Sequence, residues 1–162
     1  MAKRIVTKIG DVFCIVVDNG CKRYFQYIAN DMSCMNSSTI RVFQKTYSSE
    51  SNPVLEEIVS DEVEFYAHTV LKFGIQDGLW SKVGNNKDIG CVDSVMFRIT
   101  SGRSPLCLKS YDWYVWHISK EAISIGELTE DYASCTDYGG VFPPEWIVDR
   151  IKFGKWQCVL PY

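Results

Sequence analysis

The sequence lacks the features of several protein classes. Basic residues are not in excess, since 17 Lys and Arg stand against 20 Asp and Glu, for a net charge of −3. A nucleic-acid partner is therefore not expected, because a broad nucleic-acid footprint normally requires a basic excess. The longest apolar run, Val12 to Val17, is about a third of a membrane span. The N-terminus has no apolar run typical of a signal peptide, so we expect a cytoplasmic protein without a membrane partner.

Metal-binding and catalytic motifs are also missing from the sequence. The chain has seven cysteines but no CxxC pair, and its two histidines, His68 and His117, lie far apart. This spacing disfavours a disulfide framework and a zinc site, so we expect reduced thiols, no metal and no cofactor. A non-local set such as Cys91, Cys107 and His117 is the remaining metal candidate, and a buried apolar role is favoured for such cysteines. Without a phosphate-binding glycine loop or a GxSxG motif, we expect no catalytic residues.

The residues that are present favour a β-rich globular fold. The chain has 162 residues, of which 46% are hydrophobic and 14% aromatic. This length suits one domain over residues 1–162 with a core of its own. The high aromatic content favours strands over helices.

The most definite local signal is a hairpin near the start of the chain. An apolar β-branched run at Val12–Val17 is followed by Asn19-Gly20 and by a return strand at Lys22–Ala29. Asn-Gly favours a tight hairpin turn because both residues accept a positive φ. A third alternating strand follows at Thr39–Gln44, and three consecutive short strands indicate a strongly bent sheet or a small barrel.

The rest of the chain contains more strands than helices. Strands are predicted at Glu62–Val70, Leu79–Gly84, Val95–Ile99, Tyr111–Ile118 and Ala122–Ile125. Pro53 favours a short helix through Val59, and helical spacing predicts a second helix at Glu145–Phe153 that ends at Gly154. The fold class predicted is therefore α+β, mainly β, with an antiparallel, strongly bent sheet or small barrel and one or two short helices.

Acidic residues are concentrated in two stretches that contain no Lys or Arg. One stretch contains Glu56, Glu57, Asp61, Glu62 and Glu64, and the other contains Glu121, Glu127, Glu130, Asp131 and Asp137. A solvated face is the ordinary role of such stretches. The functional alternative is an acidic surface that recruits a basic protein, since opposed potentials raise association rates. For this role the first stretch is the candidate partner-binding site, with Trp80 as an exposed aromatic anchor.

A second interpretation uses the histidines and the aromatic strand. A small enzyme or ligand-binding barrel would have a pocket near His68, His117 and the Tyr111–Trp116 segment. On a strand, aromatic residues of this segment occupy both faces, which is typical of a central strand packed between two layers. Core packing is therefore favoured for the segment over an exposed stacking surface, which is the functional alternative.

The opening hairpin also carries a resemblance to a known family. The segment Lys8-Ile9-Gly10-Asp11-Val12-Phe13-Cys14-Ile15, the turn Asp18-Asn19-Gly20 and the strand Tyr24-Phe25-Gln26-Tyr27-Ile28 resemble the start of the immunity protein 26 family of bacterial polymorphic-toxin systems. The sequence departs from that pattern at Val16 and Phe25, where relatives often have Pro and Gly. The resemblance implies a non-enzymatic, cytoplasmic bacterial protein that binds and neutralises a cognate toxin.

Overall fold

The computed structural model describes residues 3–18, 20–102 and 108–162. Within them, strand is twice as common as helix, at 38% against 19%. The strands are β1 (Asp11–Asp18), β2 (Cys21–Asp31), β3 (Ser37–Phe43), β4 (Tyr47–Ser48), β5 (Val63–Thr69), β6 (Ser81–Asn85), β7 (Met96–Thr100), β8 (Trp113–His117), β9 (Ile123–Gly126), β10 (Asp137–Tyr138) and β11 (Val141–Phe142). The helices are α1 (Leu55–Val59), α2 (Leu71–Gln76), α3 (Glu130–Cys135) and α4 (Pro144–Phe153).

The larger sheet is built around the predicted hairpin. Its strands run in the order β11-β5-β3-β2-β1-β6, and β4 pairs with β2. Strands β1 and β2 pair antiparallel with Asp18 opposite Cys21, and Gly20 has a φ of 88°. The predicted hairpin is therefore confirmed, although Asn19, the other residue of its turn, lies outside the described residues.

The long strand β2 connects the larger sheet to a smaller one. The pairing of β2 with β3 is irregular between Tyr27 and Ala29, where β2 has one extra residue, and a bulge of this kind bends the strand that contains it. At this point Ile28 and Ala29 of β2 pack against the smaller sheet, which runs in the order β10-β7-β8-β9. The bent, mainly β architecture is confirmed, and the sheet does not close into a barrel.

Two edge strands differ from the antiparallel pattern predicted from the sequence. Strand β10 pairs in parallel with β7, with Asp137 opposite Phe97. Strand β11 pairs in parallel with β5, with Val141 opposite His68. Both sheets are therefore mixed, with parallel as well as antiparallel pairs. The reason is that the chain after α3 runs in the same direction as β7 and β5, instead of reversing through a hairpin.

Three apolar clusters hold these layers together. One face of the larger sheet packs against α2 and α4, and the opposite face packs against α1. The third cluster lies between the two sheets and includes Ile28 of β2, Phe97 of β7 and Trp116 of β8. The docking of the smaller sheet therefore depends on side chains from both sheets.

The structure has more helices than the sequence predicts. The two predicted helices are present as α1 and α4, and α4 ends at Gly154 with a φ of 72°. Helices α2 and α3 were not predicted, and each has only six residues. In α2 the residues that face inward are Leu71 and Gly74, so its hydrophobic periodicity is too short to be recognised.

Candidate functional site

The first acidic stretch forms α1 and the start of β5. Helix α1 follows Pro53, and its buried residues Ile58 and Val59 pack on the larger sheet. Glu56 and Glu57 lie in its first turn, where negative charge complements the helix dipole, and both residues are exposed. The helix therefore holds its carboxylates in solvent while its apolar side anchors it to the core.

Lys45 neutralises part of this acidic stretch. Its Nζ lies 2.6 Å from Glu57 Oε1, and its backbone N–H donates to Asp61 Oδ2 at 2.7 Å. The hydrogen bond from Lys45 lowers the pKa of Glu57, and the same bond raises the pKa of Lys45. Glu57 and Asp61 are therefore held in fixed positions by Lys45. Glu56 and Glu62 are exposed.

Glu64 differs from the other acids because it faces two arginines. Its Oε2 lies 3.1 Å from Arg23 Nη2 and 3.7 Å from Arg150 Nη1, and its side chain is 28% exposed. The Arg150 guanidinium in turn lies over the Phe65 ring. Glu64 therefore takes part in internal charge pairing and contributes less to the outer acidic surface.

The prediction that Trp80 is an exposed anchor is wrong. Trp80 is 3% exposed, and its Nε1–H donates to the carbonyl oxygen of Leu71 at 3.1 Å. The indole lies directly over Gly74, where an added Cβ would stand 2.0 Å from the ring. The missing side chain at Gly74 makes room for Trp80 in the core, so this tryptophan cannot contact a partner. We call the remaining acidic set the α1 surface: the exposed Glu56, Glu57 and Glu62, together with the half-buried Asp61.

A buried polar cluster centred on Asp31 joins the two sheets. Asp31 and His68 are both fully buried, and His68 Nε2 lies 2.9 Å from Asp31 Oδ2. The same oxygen accepts from Trp116 Nε1–H at 2.8 Å, and Asp31 Oδ1 accepts from the backbone N–H of Ser119 at 3.0 Å. Asp31 thus receives donors from β5, β8 and the turn after β8.

The protonation of this cluster follows from its contacts. Burial would raise the pKa of Asp31, but hydrogen bonds from Trp116, Ser119 and His68 outweigh it and lower that pKa. Burial lowers the pKa of His68 against the opposing effect of Asp31. At neutral pH the cluster therefore pairs an aspartate anion with a neutral imidazole that donates from Nε2. The His–Asp pair has no access to solvent, which makes it a structural element.

The two tryptophans of the aromatic segment have the structural role that the sequence favours, whereas Tyr111 precedes β8 and is 58% exposed, so core packing is wrong for that residue. Trp113 is fully buried and Trp116 is 2% exposed, and each indole N–H donates to a buried acceptor. His117 is half-buried, and its Nδ1 lies 3.1 Å from the Val95 carbonyl oxygen. The alternative pocket lined by His68, His117 and this strand therefore gains no support from the structure.

The described part of the chain has neither a cluster of metal ligands nor a helix that could span a membrane. Among residues 3–18, 20–102 and 108–162, no group of three or more His, Cys, Asp and Glu side chains is placed to hold a metal ion. Cys107, a member of the non-local set considered above, lies outside these residues. No helix among the described residues is long and apolar enough to cross a membrane.

Sequence reasoning missed the Asp31 cluster. Asp31 follows Asn30 at the end of a strand, where the sequence indicates an ordinary polar loop. Its partners His68, Trp116 and Ser119 are 37, 85 and 88 residues away, so no local spacing connects them. A lone histidine in an apolar strand was the one available signal of a buried polar partner.

Comparison with known proteins gives a match to a family. A family model described as Immunity protein 26 matches residues 8–99, which is more than half of the chain. No curated protein matches the sequence, and no solved structure matches it. The matched segment begins three residues before β1 of the opening hairpin and runs through most of β7.

Proposed function

Because the chain belongs to the immunity protein 26 family, we propose that it binds a cognate bacterial toxin and neutralises it by covering the toxin's active surface. It acts in this proposal as a binding protein and not as an enzyme. The family match carries the proposal, and the burial of the His–Asp pair supports it, since that pair has no route to a substrate. The cytoplasm, where a toxin would act on its own producer, is the proposed compartment.

The α1 surface is the proposed contact for a basic toxin. Glu56 and Glu62 are exposed, and no Lys or Arg occurs between Lys45 and Lys72. A toxin that acts on nucleic acid needs a basic surface to hold phosphates. An acidic inhibitor that covers this surface gains a fast association rate from opposed charges, together with competition for the same site.

Charge reversal on the α1 surface tests this contact. The variant Glu56→Lys/Glu62→Lys changes the surface without removing the partners of Lys45. The control Asp77→Lys/Asp93→Lys changes the net charge equally at two exposed positions elsewhere. Both variants are measured for binding to the purified toxin domain encoded beside this gene, at low and at physiological ionic strength. The α1 variant should associate about tenfold more slowly at low salt and lose most of its salt dependence.

The outcomes separate the surface from the function. If the α1 variant and the control associate equally fast, the α1 surface is not the contact, although the protein still binds the toxin. The function is tested by producing the toxin domain in cells with and without this chain. Cells that die equally in both cases, together with no binding by the parent protein, would show that the proposed neutralisation is wrong.

A further inference from the structure

The outer edge of the smaller sheet is open. Strand β9 lies at the end of that sheet and pairs with β8 alone, with Ser124 opposite Tyr114 and Ile123 opposite Val115. No other strand within the described residues pairs with it. Natural proteins usually protect such an edge with charged residues, proline or a bulge. The segment Ile123-Ser124-Ile125-Gly126 has no charge and no proline, and Ile123 is 66% exposed. Its pairing with β8 is irregular at Ile125, so the regular part of the open edge is Ile123 and Ser124.

A cleft adjoins the C-terminal end of this strand. It has a volume of about 230 Å³, and its lining includes Tyr111, Tyr162, Glu127 and Glu130. Tyr162 is 63% exposed, so its ring is available to a protein partner. Lys109 also lines the cleft, and its Nζ lies 5.1 Å from the centre of the Tyr111 ring, so that ring already contacts a cation. Tyrosine is enriched among interface residues that dominate binding energy, and carboxylates beside an aromatic ring suit an arginine or lysine side chain. The β9 surface is defined as strand β9 together with the cleft residues Tyr111, Tyr162, Glu127 and Glu130.

Charge indicates what kind of chain occupies the β9 surface. Residues 121–149 contain no Lys or Arg, and they include the second acidic stretch. If two copies of this protein paired antiparallel about Ser124, Glu121 of each copy would face Glu127 of the other. Like charges directly opposite each other destabilise a strand pair. The charge pattern therefore disfavours a second copy and favours a basic partner.

We propose that the β9 surface is a second toxin contact, where an extended basic segment of the toxin adds as a strand to β9. Main-chain hydrogen bonds to the open edge supply affinity, as in other cases of strand addition. A lysine or arginine of that segment enters the cleft and pairs with Glu127 and Glu130 beside the Tyr162 ring. This contact rests on the proposed toxin binding, and it is separate from the α1 surface in sequence and in the sheet that carries it.

Hydrogen exchange and two variants test the contact. The probe is the purified toxin domain encoded beside this gene, bound to the full-length protein. Amides of residues 122–126 should exchange at least tenfold more slowly in the complex than in the free protein. Ile123→Lys, which places a positive charge on the open edge, should weaken binding at least tenfold. Glu127→Gln/Glu130→Gln should weaken binding by a similar factor and reduce its salt dependence.

Control variants exclude general effects of the substitutions. Val16→Lys places the same charge at a residue of similar exposure, 67%, in the larger sheet. Glu145→Gln removes an exposed carboxylate from α4. Both controls should bind the toxin as the parent does, and all variants should keep the parent's melting temperature within a few degrees.

Each result decides between the two proposals. If the parent binds and protects cells while β9 exchange and variant affinities stay at parental values, the β9 contact is wrong and toxin neutralisation stands. If the parent neither binds nor protects, both proposals are wrong. Slower exchange at β9 with weaker binding by both variants supports the contact. If a β9 variant unfolds, Ile123→Thr replaces it. If the amides of residues 122–126 in this variant exchange as fast in the complex as in the free protein, the contact is overturned equally.

Discussion

Removing the Asp31 carboxylate should be among the most destabilising single changes in the protein. Asp31→Ala deprives His68 Nε2, Trp116 Nε1 and the Ser119 N–H of their acceptor, and Asp31 and His68 are fully buried. A buried donor left unsatisfied costs about 1 to 3 kcal/mol, and Asp31→Ala leaves two buried donors, on His68 and Trp116, without an acceptor. We therefore expect a loss of about 4 kcal/mol in the free energy of unfolding, a large part of the stability of a typical domain.

Equilibrium unfolding in denaturant, followed by tryptophan fluorescence, measures this loss. Asp31→Asn keeps one acceptor oxygen but presents an amide where donors converge, so we expect it to lose about half as much stability. Asp77→Ala is the control, because Asp77 is exposed, and its effect should stay within about 0.5 kcal/mol. A loss below about 1 kcal/mol for Asp31→Ala would refute the idea that this cluster holds the two sheets together.

Four further outcomes are expected. Gly20→Val should cost roughly 1 to 2 kcal/mol of unfolding free energy, because Gly20 has a φ of 88° that a β-branched residue rarely adopts. No atom lies within 4 Å of an added Cβ, so the cost is backbone strain alone, and an unchanged melting temperature would contradict this. Gly74→Ala should cost roughly 2 to 3 kcal/mol, although alanine normally favours a helix, because its Cβ would overlap the Trp80 ring. Stability should fall as the pH drops below 6.5, because the pKa of His68 is lowered in the folded protein and the unfolded chain takes up the proton first. It should fall further below pH 3.8, because the pKa of Asp31 is also lowered in the folded protein, and the loss is complete once folded Asp31 is protonated. His68→Asn should flatten the first decline, as measured by the denaturant midpoint at each pH. Alkylation of the denatured, unreduced protein should modify seven thiols, and elemental analysis should find no zinc, whereas fewer labelled thiols or one zinc per chain would overturn the cysteine assignment.

Local signals in the sequence predicted the elements that local forces determine. The opening hairpin follows from an apolar run next to a turn that accepts positive φ, and α4 follows from helical spacing that ends at Gly154. Helix α2 and the two parallel edge strands depend on neighbours that are distant in sequence, so no periodicity marks them. Trp80 shows the same limit, because its burial depends on the space above Gly74 and not on its own surroundings in the chain.

The candidate site was predictable to a similar extent. Composition alone located the acidic stretches, and Glu56 and Glu57 are exposed on the helix predicted to carry them. Composition could not reveal that Glu64 turns towards Arg23, since that pairing joins residues 41 positions apart. The open edge of β9 was also hidden, because a strand's position at the end of a sheet is a property of the complete topology.

The two parallel edge pairings have a consequence for the order in which the chain folds. Strand β5 receives its outer neighbour from Val141 and Phe142, and β7 receives its outer neighbour from Asp137 and Tyr138. Such non-local pairings close large loops and form slowly, whereas the β1–β2 hairpin closes within a few residues. During synthesis on the ribosome, the first hundred residues can therefore collapse while the edge of β5 still lacks its partner. Until Val141 and Phe142 have emerged, a nascent chain can pair with the wrong strand at that exposed edge.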